Sequence, residues 1–340
     1  MASVGAAQAA EISLSGFAEM GIFGGNGVAG VDPQFFTDVD VTFKGKGMTD
    51  GGVEFGMTVD LDEAACDVIT TTTTVTETET PGNGADVNTA TSTSSCNEHA
   101  MGNNAQDGGV TIYVSGTFGK LTMGDTDGAF DWAMTEVGGP AGSINDDHTA
   151  HAGFNGNSGF DGRNDGQIAA YEYSFADFAF AVSAEIDDNG AAAGGVNSVI
   201  YGVGAKYSMA MSGATLSLGL GYQGYTNASL WGVSATVDLD SGLWAGINYS
   251  SASGTALNPA TQAGDHYGIG IGYKMDALAV GVNYGAFNRA GTANDVAGFG
   301  IAASYDLGGG MSLQAGYGWS DNAGAAVDTS TYSFGAKMSF

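Results

Sequence analysis

Carboxylates dominate the side chains of this chain that could do chemistry: 37 residues are Asp or Glu and 8 are Lys or Arg, a formal charge of −29. That balance repels a phosphate backbone and attracts cations, so no nucleic acid is expected as a partner. The acids crowd between residues 127 and 166, where Asp127, Asp131, Glu136, Asp146, Asp147, Asp161 and Asp165 stand against Arg163 alone. Asp125 and Asp127 in GDTDG could help to hold a structural Ca2+ among these carboxylates, since a hard cation takes roughly six or more oxygens. No cofactor is otherwise required. His148 and His151 in HTAH have the spacing of a metal pair, but no helix holds them and no third ligand can be placed, so they read as loop residues. GNSGF and GIGIGY fall short of the nucleophile-elbow and dinucleotide patterns. No catalytic set emerges, and the expectation is a protein that is not an enzyme. Cys66 and Cys96 sit in a stretch rich in Thr, Ser and Asn; a zinc site would want four ligands, and one disulfide closing a long loop is the better reading.

The elements that carry these groups announce themselves by a period of two. The segment TYSFGAKMSF sets Tyr332, Phe334, Met338 and Phe340 against Ser333, Lys337 and Ser339, one greasy face and one polar face. MSLQAGYGWS and HYGIGIGYKM do the same, with Gly on most of the opposite positions. The same test predicts sixteen strands, at 11–23, 37–47, 52–62, 109–118, 119–126, 167–175, 178–187, 197–209, 214–224, 229–239, 243–251, 266–275, 277–287, 295–305, 311–320 and 330–340. Their connections alternate between short Gly and Asp turns (MTDG, FGK, AD, AMSG, DSG, MDA, DLGGG) and a longer set that includes 63–108 and 127–166.

Mean hydropathy is +0.02 and no run of 18 uncharged apolar residues is present, which argues against a helical membrane protein. A transmembrane barrel strand needs only about 9 to 11 residues with alternate positions apolar. Tyr207, Tyr222, Tyr249, Tyr273, Tyr284, Tyr305, Tyr317 and Trp319 fall on the apolar parity, mostly near strand ends, where an interfacial girdle would sit. The 58 Gly against 4 Pro suggest close-packed or strongly bent strands. The fold expected is all-β: a 16-stranded antiparallel transmembrane barrel, one domain over residues 11–340. Residues 1–10, MASVGAAQAA, read as the end of a secretory signal or as an Ala-rich disordered leader, and stand outside it.

EISLSGFAEMGI, VTFKGKGMTDGGVEFGMTVDLDEA, GGVTIYVSGTFGKLTMGDTDGAF, YEYSFADFAFAVSAE, AASYDLGGGMSLQAGYGW and the terminal Phe340 together resemble the general diffusion porins of alphaproteobacteria, Rhodobacter-type. The resemblance implies a homotrimer in the outer membrane of a Gram-negative bacterium, bounded by lipid and lipopolysaccharide. It also implies short periplasmic turns, long external loops and a third external loop, 127–166, folded inward as a constriction. Phe340 resembles the C-terminal aromatic by which barrel-assembly machinery recognises its clients. The Thr-rich insertion within 63–108 departs from the family, and a mobile loop is expected there.

On that reading the polar parity lines the lumen. Lys44, Lys46, Lys206, Lys274 and Lys337 fall on it, as do Asp38, Asp40, Glu54 and Glu172. Acids of the inward loop, Asp127, Asp131, Glu136, Asp146 and Asp147, would face a basic wall made by the lysines, with a transverse field that favours small hydrophilic solutes. Asp38 and Asp40 stand where the resemblance implies basic residues, which points to a cation preference if they reach the constriction and to nothing if they sit at the rim. The function expected is passive diffusion of small hydrophilic solutes and ions. The alternatives are a solute-specific barrel with a dedicated site and a surface adhesin.

Overall fold

The computed structural model describes residues 11–26, 33–62, 70–76, 87–93, 106–144, 151–164, 166–186, 199–254, 263–289, 295–322 and 328–340. In chain order its strands are β1 (Glu11–Gly24), β2 (Gln34–Met48), β3 (Glu54–Asp62), β4 (Thr70–Thr76), β5 (Val87–Thr93), β6 (Gln106–Gly116), β7 (Gly119–Gly124), β8 (Ile168–Phe175) and β9 (Phe178–Ile186). They continue as β10 (Val199–Met211), β11 (Ala214–Tyr225), β12 (Ala228–Leu239), β13 (Leu243–Gly254), β14 (Gly264–Met275), β15 (Leu278–Arg289), β16 (Val296–Gly308), β17 (Met311–Asn322) and β18 (Thr329–Ser339). Among the described residues the one helix, α1, is the single turn Ala129–Ala133, and no helix is long and apolar enough to cross a membrane.

Sixteen of these strands close into one antiparallel barrel in which successive strands pair, β3 with β6 across the segment between them, and β1 meets β18. The other two, β4 and β5, make a separate ribbon between β3 and β6. Within the loop expected at 63–108, the runs TTTTTVT and VNTATST pair with each other, as β-branched side chains favour extended backbone. Cys66 and Cys96, and the disulfide expected of them, lie outside the described residues.

Alternation fixes the register. Leu14 of β1 faces Phe43 of β2, and Ile22 faces Phe334 of β18, so one apolar surface runs unbroken across the closing seam. A slip of one residue would turn that surface into the lumen. Outside, Ile112, Val182, Ile247, Ile269 and Phe334 are all more than half exposed. A continuous belt of bare aliphatics inverts the soluble pattern and calls for lipid around it. Two bands of aromatics flank the belt. Tyr201, Tyr222, Trp231, Tyr249 and Tyr267 follow one another across β10 to β14 at the long-loop end, and Tyr173, Phe178, Tyr207, Tyr273 and Tyr305 lie at the other end.

The short turns match the sequence. Gly309 and Gly310, with φ of 66° and 88°, connect β16 to β17 in the left-handed geometry that suits a tight hairpin. At the opposite end the length rule is not strict, because β11 and β12 are joined by Thr226 and Asn227 alone. Closure leaves an overhang at the start of β1. Phe340 N donates to Gly16 O (3.0 Å) and Gly16 N donates to Phe340 O (3.2 Å), whereas Glu11–Ser15 extend beyond β18 and pair with β2 alone.

The largest buried apolar cluster does not lie between sheets. It joins Phe130, Met134 and Phe160 of the β7–β8 connection to Ile200, Ala228 and Leu230 of the barrel wall. The core of this molecule is therefore the seam where a loop enters the lumen.

Candidate pore constriction

The inner rows of β10 to β18 carry glycines among small and polar residues, and the β7–β8 connection lies down on them. A Cβ added at Gly204 would stand 2.1 Å from Ala129 O, at Gly219 2.1 Å from Ala133 O, at Gly270 2.1 Å from Val137 O, and at Gly285 2.0 Å from Gly153 O. Any side chain there would collide with loop backbone, so the glycines are the groove in which the loop rests. Gly21 and Gly335 receive the Ile144 side chain in the same way, carrying the loop across the lumen to the closing seam.

Inward polar residues then hold the loop's backbone. Ser183 Oγ accepts from Ala129 N (2.8 Å), Ser234 Oγ from Thr135 N (3.0 Å) and Ser320 Oγ from Ala152 N (2.9 Å), while Asn248 Nδ2 donates to Thr135 O (3.2 Å). Gln223 Oε1 accepts from Phe160 N (2.7 Å). Glu185, almost wholly buried, accepts from Gly162 N (3.0 Å), Asn164 N (2.9 Å) and Gly166 N (3.1 Å). Such satisfaction of loop amides by the wall is what permits a polar backbone to be buried at all. These anchors were invisible as a set in the sequence; the one signal was a polar side chain at inward parity among glycines.

His151 belongs to this scaffold. Its Nε2 lies 2.7 Å from Asn283 Oδ1, its ring is buried, and burial holds its pKa below the ordinary value although the Asn283 contact opposes the shift. It is a neutral structural residue at pH 7. His148, Asp146, Asp147 and Asp165 lie outside the described residues. Asp125 and Asp127 are exposed at the start of the loop, and among the described residues no three His, Cys, Asp or Glu side chains converge as metal ligands.

The charged groups of the constriction gather around α1. Burial pushes the Asp131 carboxyl up to about 7, with Asp127, Asp161 and Glu136 adding to the shift and Lys206 opposing it. Burial likewise pushes Asp161 up to about 6, against hydrogen bonds from Gly128 N (2.8 Å) and Gln223 Nε2 (2.5 Å) and with help from Glu185 and Asp127. Glu136 and Asp127 are exposed to the lumen.

The register puts Lys44, Lys46, Lys206, Lys274, Lys337, Asp38, Asp40, Glu54 and Glu172 on inward rows. Their arrangement differs from an unbroken basic wall. Lys46 Nζ is 3.2 Å from Glu11, Lys120 Nζ is 3.0 Å from Glu172, and Lys337 Nζ is 2.9 Å from the buried Glu19. Lys206 Nζ lies over the Trp132 ring at 4.3 Å, and Trp132 Nε1 donates to Glu172 (3.1 Å). Lys274 is next to Met275 at the end of β14, on the short-turn rim. Glu54 accepts from Tyr113 OH at 2.8 Å, an inward tyrosine that sequence had not singled out. Asp38 and Asp40 oppose Glu19 and Phe17 across β1 and β2, one and two inward rows from the Gly21 row on which Ile144 rests. They are thus inside the barrel, level with the Glu19–Lys337 pair.

The arrangement is a water-accessible passage narrowed by a docked loop, with acids exposed on the loop and Lys46, Lys120 and Lys337 of the wall matched to glutamates. A family model described as Gram-negative porin matches residues 1–325. Comparison with curated proteins returns no match. Among solved structures, a porin refined at 1.8 Å resolution superposes with a TM-score of 0.65 at 21% identity, over 97% of this chain and 100% of the other. A mutant of Rh. blastica porin gives a TM-score of 0.64 at 18% identity, and a triple mutant of Rhodopseudomonas blastica porin gives 0.62 at 18%, both with the same coverage.

Proposed function

The chain belongs to the family of Gram-negative porins, and on that premise we propose that its passage prefers cations. It is a multi-pass outer-membrane barrel and a general diffusion porin for small hydrophilic solutes, a channel by family and fold rather than an enzyme. One observation carries the preference: Lys46, Lys120 and Lys337 are each paired with a glutamate, while Asp127 and Glu136 stand exposed on the docked loop and Asp38 and Asp40 lie on inward rows, so acids outnumber bases along the passage. A negative field in a low-dielectric wall concentrates cations and thins anions.

The porin fold supports three copies assembling side by side in lipid and lipopolysaccharide, and an exposed terminal Phe340 supports recognition by the barrel-assembly machinery. Reconstitution in planar bilayers under a salt gradient tests the reading. Steady ohmic conductance with a cation-signed reversal potential is expected. An anion-signed potential would overturn the preference and leave the porin assignment intact.

A further inference from the structure

The peptide group of Gly153 is held from two sides by histidines of different elements, His151 of the docked loop and His266 of β14. Gly153 N donates to His151 Nδ1 (3.2 Å), and Gly153 O accepts from His266 Nε2 (3.0 Å). Both rings are buried.

The partners fix the proton on each ring. His151 Nδ1 receives an N–H, so Nε2 carries the hydrogen and donates to Asn283 Oδ1 (2.7 Å). His266 Nε2 faces a carbonyl and carries its own hydrogen, which leaves Nδ1 to accept from Asn155 Nδ2 (3.4 Å). Asn155 cannot turn its oxygen to that ring without loss, because Oδ1 already accepts from Asn157 N (3.0 Å). Both Nδ1 atoms thus face donors, and a second proton on either ring sets two N–H groups against each other.

Small shifts do not relieve such a conflict. Gly153 lies so close on Gly285 that a Cβ on either would stand 2.0 Å from the other's carbonyl oxygen, and a Cβ on Gly298 would stand 2.7 Å from His151 Nδ1. Backbone blocks the limb sideways, so it must lift. The wall contacts then left to it are Ser320 Oγ, which accepts from Ala152 N, and Ser250 Oγ, which accepts from Asn155 Nδ2 at 3.4 Å.

We propose that His151 and His266 form an acid-sensitive latch, which releases residues 151–155 of the constriction loop when either imidazole takes up a second proton. Against His151, β15, β16 and β17 present Asn283, Gly298 and Ser320, none of which titrates. The cavity beside His266 brings Arg163 and Asp161 from the loop, Arg289 from β15 and Asp265 from β14 itself, the last on the outward parity. Glu136 lies beside Gly156. The arginines oppose a proton on the latch and the acids favour it.

Burial holds the His151 pKa below the ordinary 6.5, with the Asn283 contact opposing the shift. Such a group supports docking fully above its ordinary value, and the support falls away as pH drops from there toward the lowered one. Acid therefore acts on this limb in the opposite sense to α1, where the raised Asp131 favours docking when protonated.

The latch rests on the channel reading and is tested in planar bilayers with the full chain carrying Asp131→Asn, which removes the α1 titration. Between about pH 7 and about pH 4 closures should become about tenfold more frequent, as expected for one proton taken up with release. H151Q and H266Q each remove one trigger, and the double variant should show no acid rise. Asn155→Asp keeps the Asn157 contact and puts an acceptor opposite His266 Nδ1. Added to H151Q it should abolish the rise with His266 still present, which loss of a merely structural contact would not do. Should the glutamine variants give no channels, Asn155→Asp alone decides, and must lower the acid closures. Closures that do not rise with acid, that rise equally in the conducting double variant, or that Asn155→Asp leaves undiminished would overturn the latch while leaving the porin standing. Absence of any conductance from the unsubstituted chain would overturn the channel reading and the latch with it.

Discussion

Glu185 shows how a single residue can hold a long loop. Its two carboxylate oxygens gather the amides of Gly162, Asn164 and Gly166 within 3.1 Å, in a setting where almost none of its surface meets water. Buried amides left without an acceptor are costly, and bonds to a charged acceptor contribute about 1.5–3 kcal/mol each. Glu185→Gln keeps the shape but turns one oxygen into a donor that faces N–H groups. The returning limb of the loop should then detach intermittently. Bilayer recordings are expected to show greater open-channel noise and closure at lower voltage than the parent; a trace as quiet as the parent's would mean that the other anchors suffice. Asn164, which also donates from Nδ2 to Glu185 O (3.3 Å), should be less sensitive, because that contact is longer and uncharged.

At the scale of elements, the staves were legible and the loop's bed was not. Strand parity is written in every hairpin, since Ile269, Ile271 and Tyr273 can only share a face, and Gly309 and Gly310 mark their turn by type. Gly268, Gly270 and Gly272 on the other parity carry no side chain and hence no statement about a partner, yet it is on them that Val137 and Pro140 rest. The inward folding of the loop was available only through family resemblance. Its energetics suggest a direct assay: Phe130 fills a slot against Leu230 and Gly221, and Phe130→Ala should cost about 3–5 kcal/mol of loop docking. A larger, noisier conductance is expected, and an unaltered conductance would show that Phe130 does not retain the loop. The closing seam offers a second case, because Lys337 sits beside the buried Glu19 and over the Phe17 ring at 4.0 Å. Lys337→Met strands a buried carboxylate at a cost of about 3–5 kcal/mol, whereas adding Glu19→Gln removes the stranded charge. Heat-induced mobility shifts on detergent gels should place the single variant well below the parent and the double variant nearer to it.

For the whole molecule, charge and loop position are coupled through Asp131. Its carboxyl, ordinarily at 3.8, is held up to about 7 by burial and by Asp127, Asp161 and Glu136, so it is largely protonated in mildly acid solution. A group whose folded pKa is raised binds its proton more tightly in the docked state. Its contribution to docking is complete below about pH 4 and is lost as pH rises through about 7. Two effects therefore follow the same titration: ionisation adds a negative charge beside the passage, and the resulting repulsion loosens α1 from its bed. Between about pH 5 and about pH 8 the cation preference should rise while the open-channel noise increases. Asp131→Asn should remove the part of both changes centred near pH 7 and leave the part belonging to Asp161, which titrates at about 6. Asp38→Asn with Asp40→Asn should lower the preference at every pH in that range without altering its pH dependence, since neither residue is among the groups that shift Asp131. Reversal potentials that stay flat across the range in the parent would separate the loop's carboxylates from selectivity and leave the fixed acids of the β1–β3 wall to determine it.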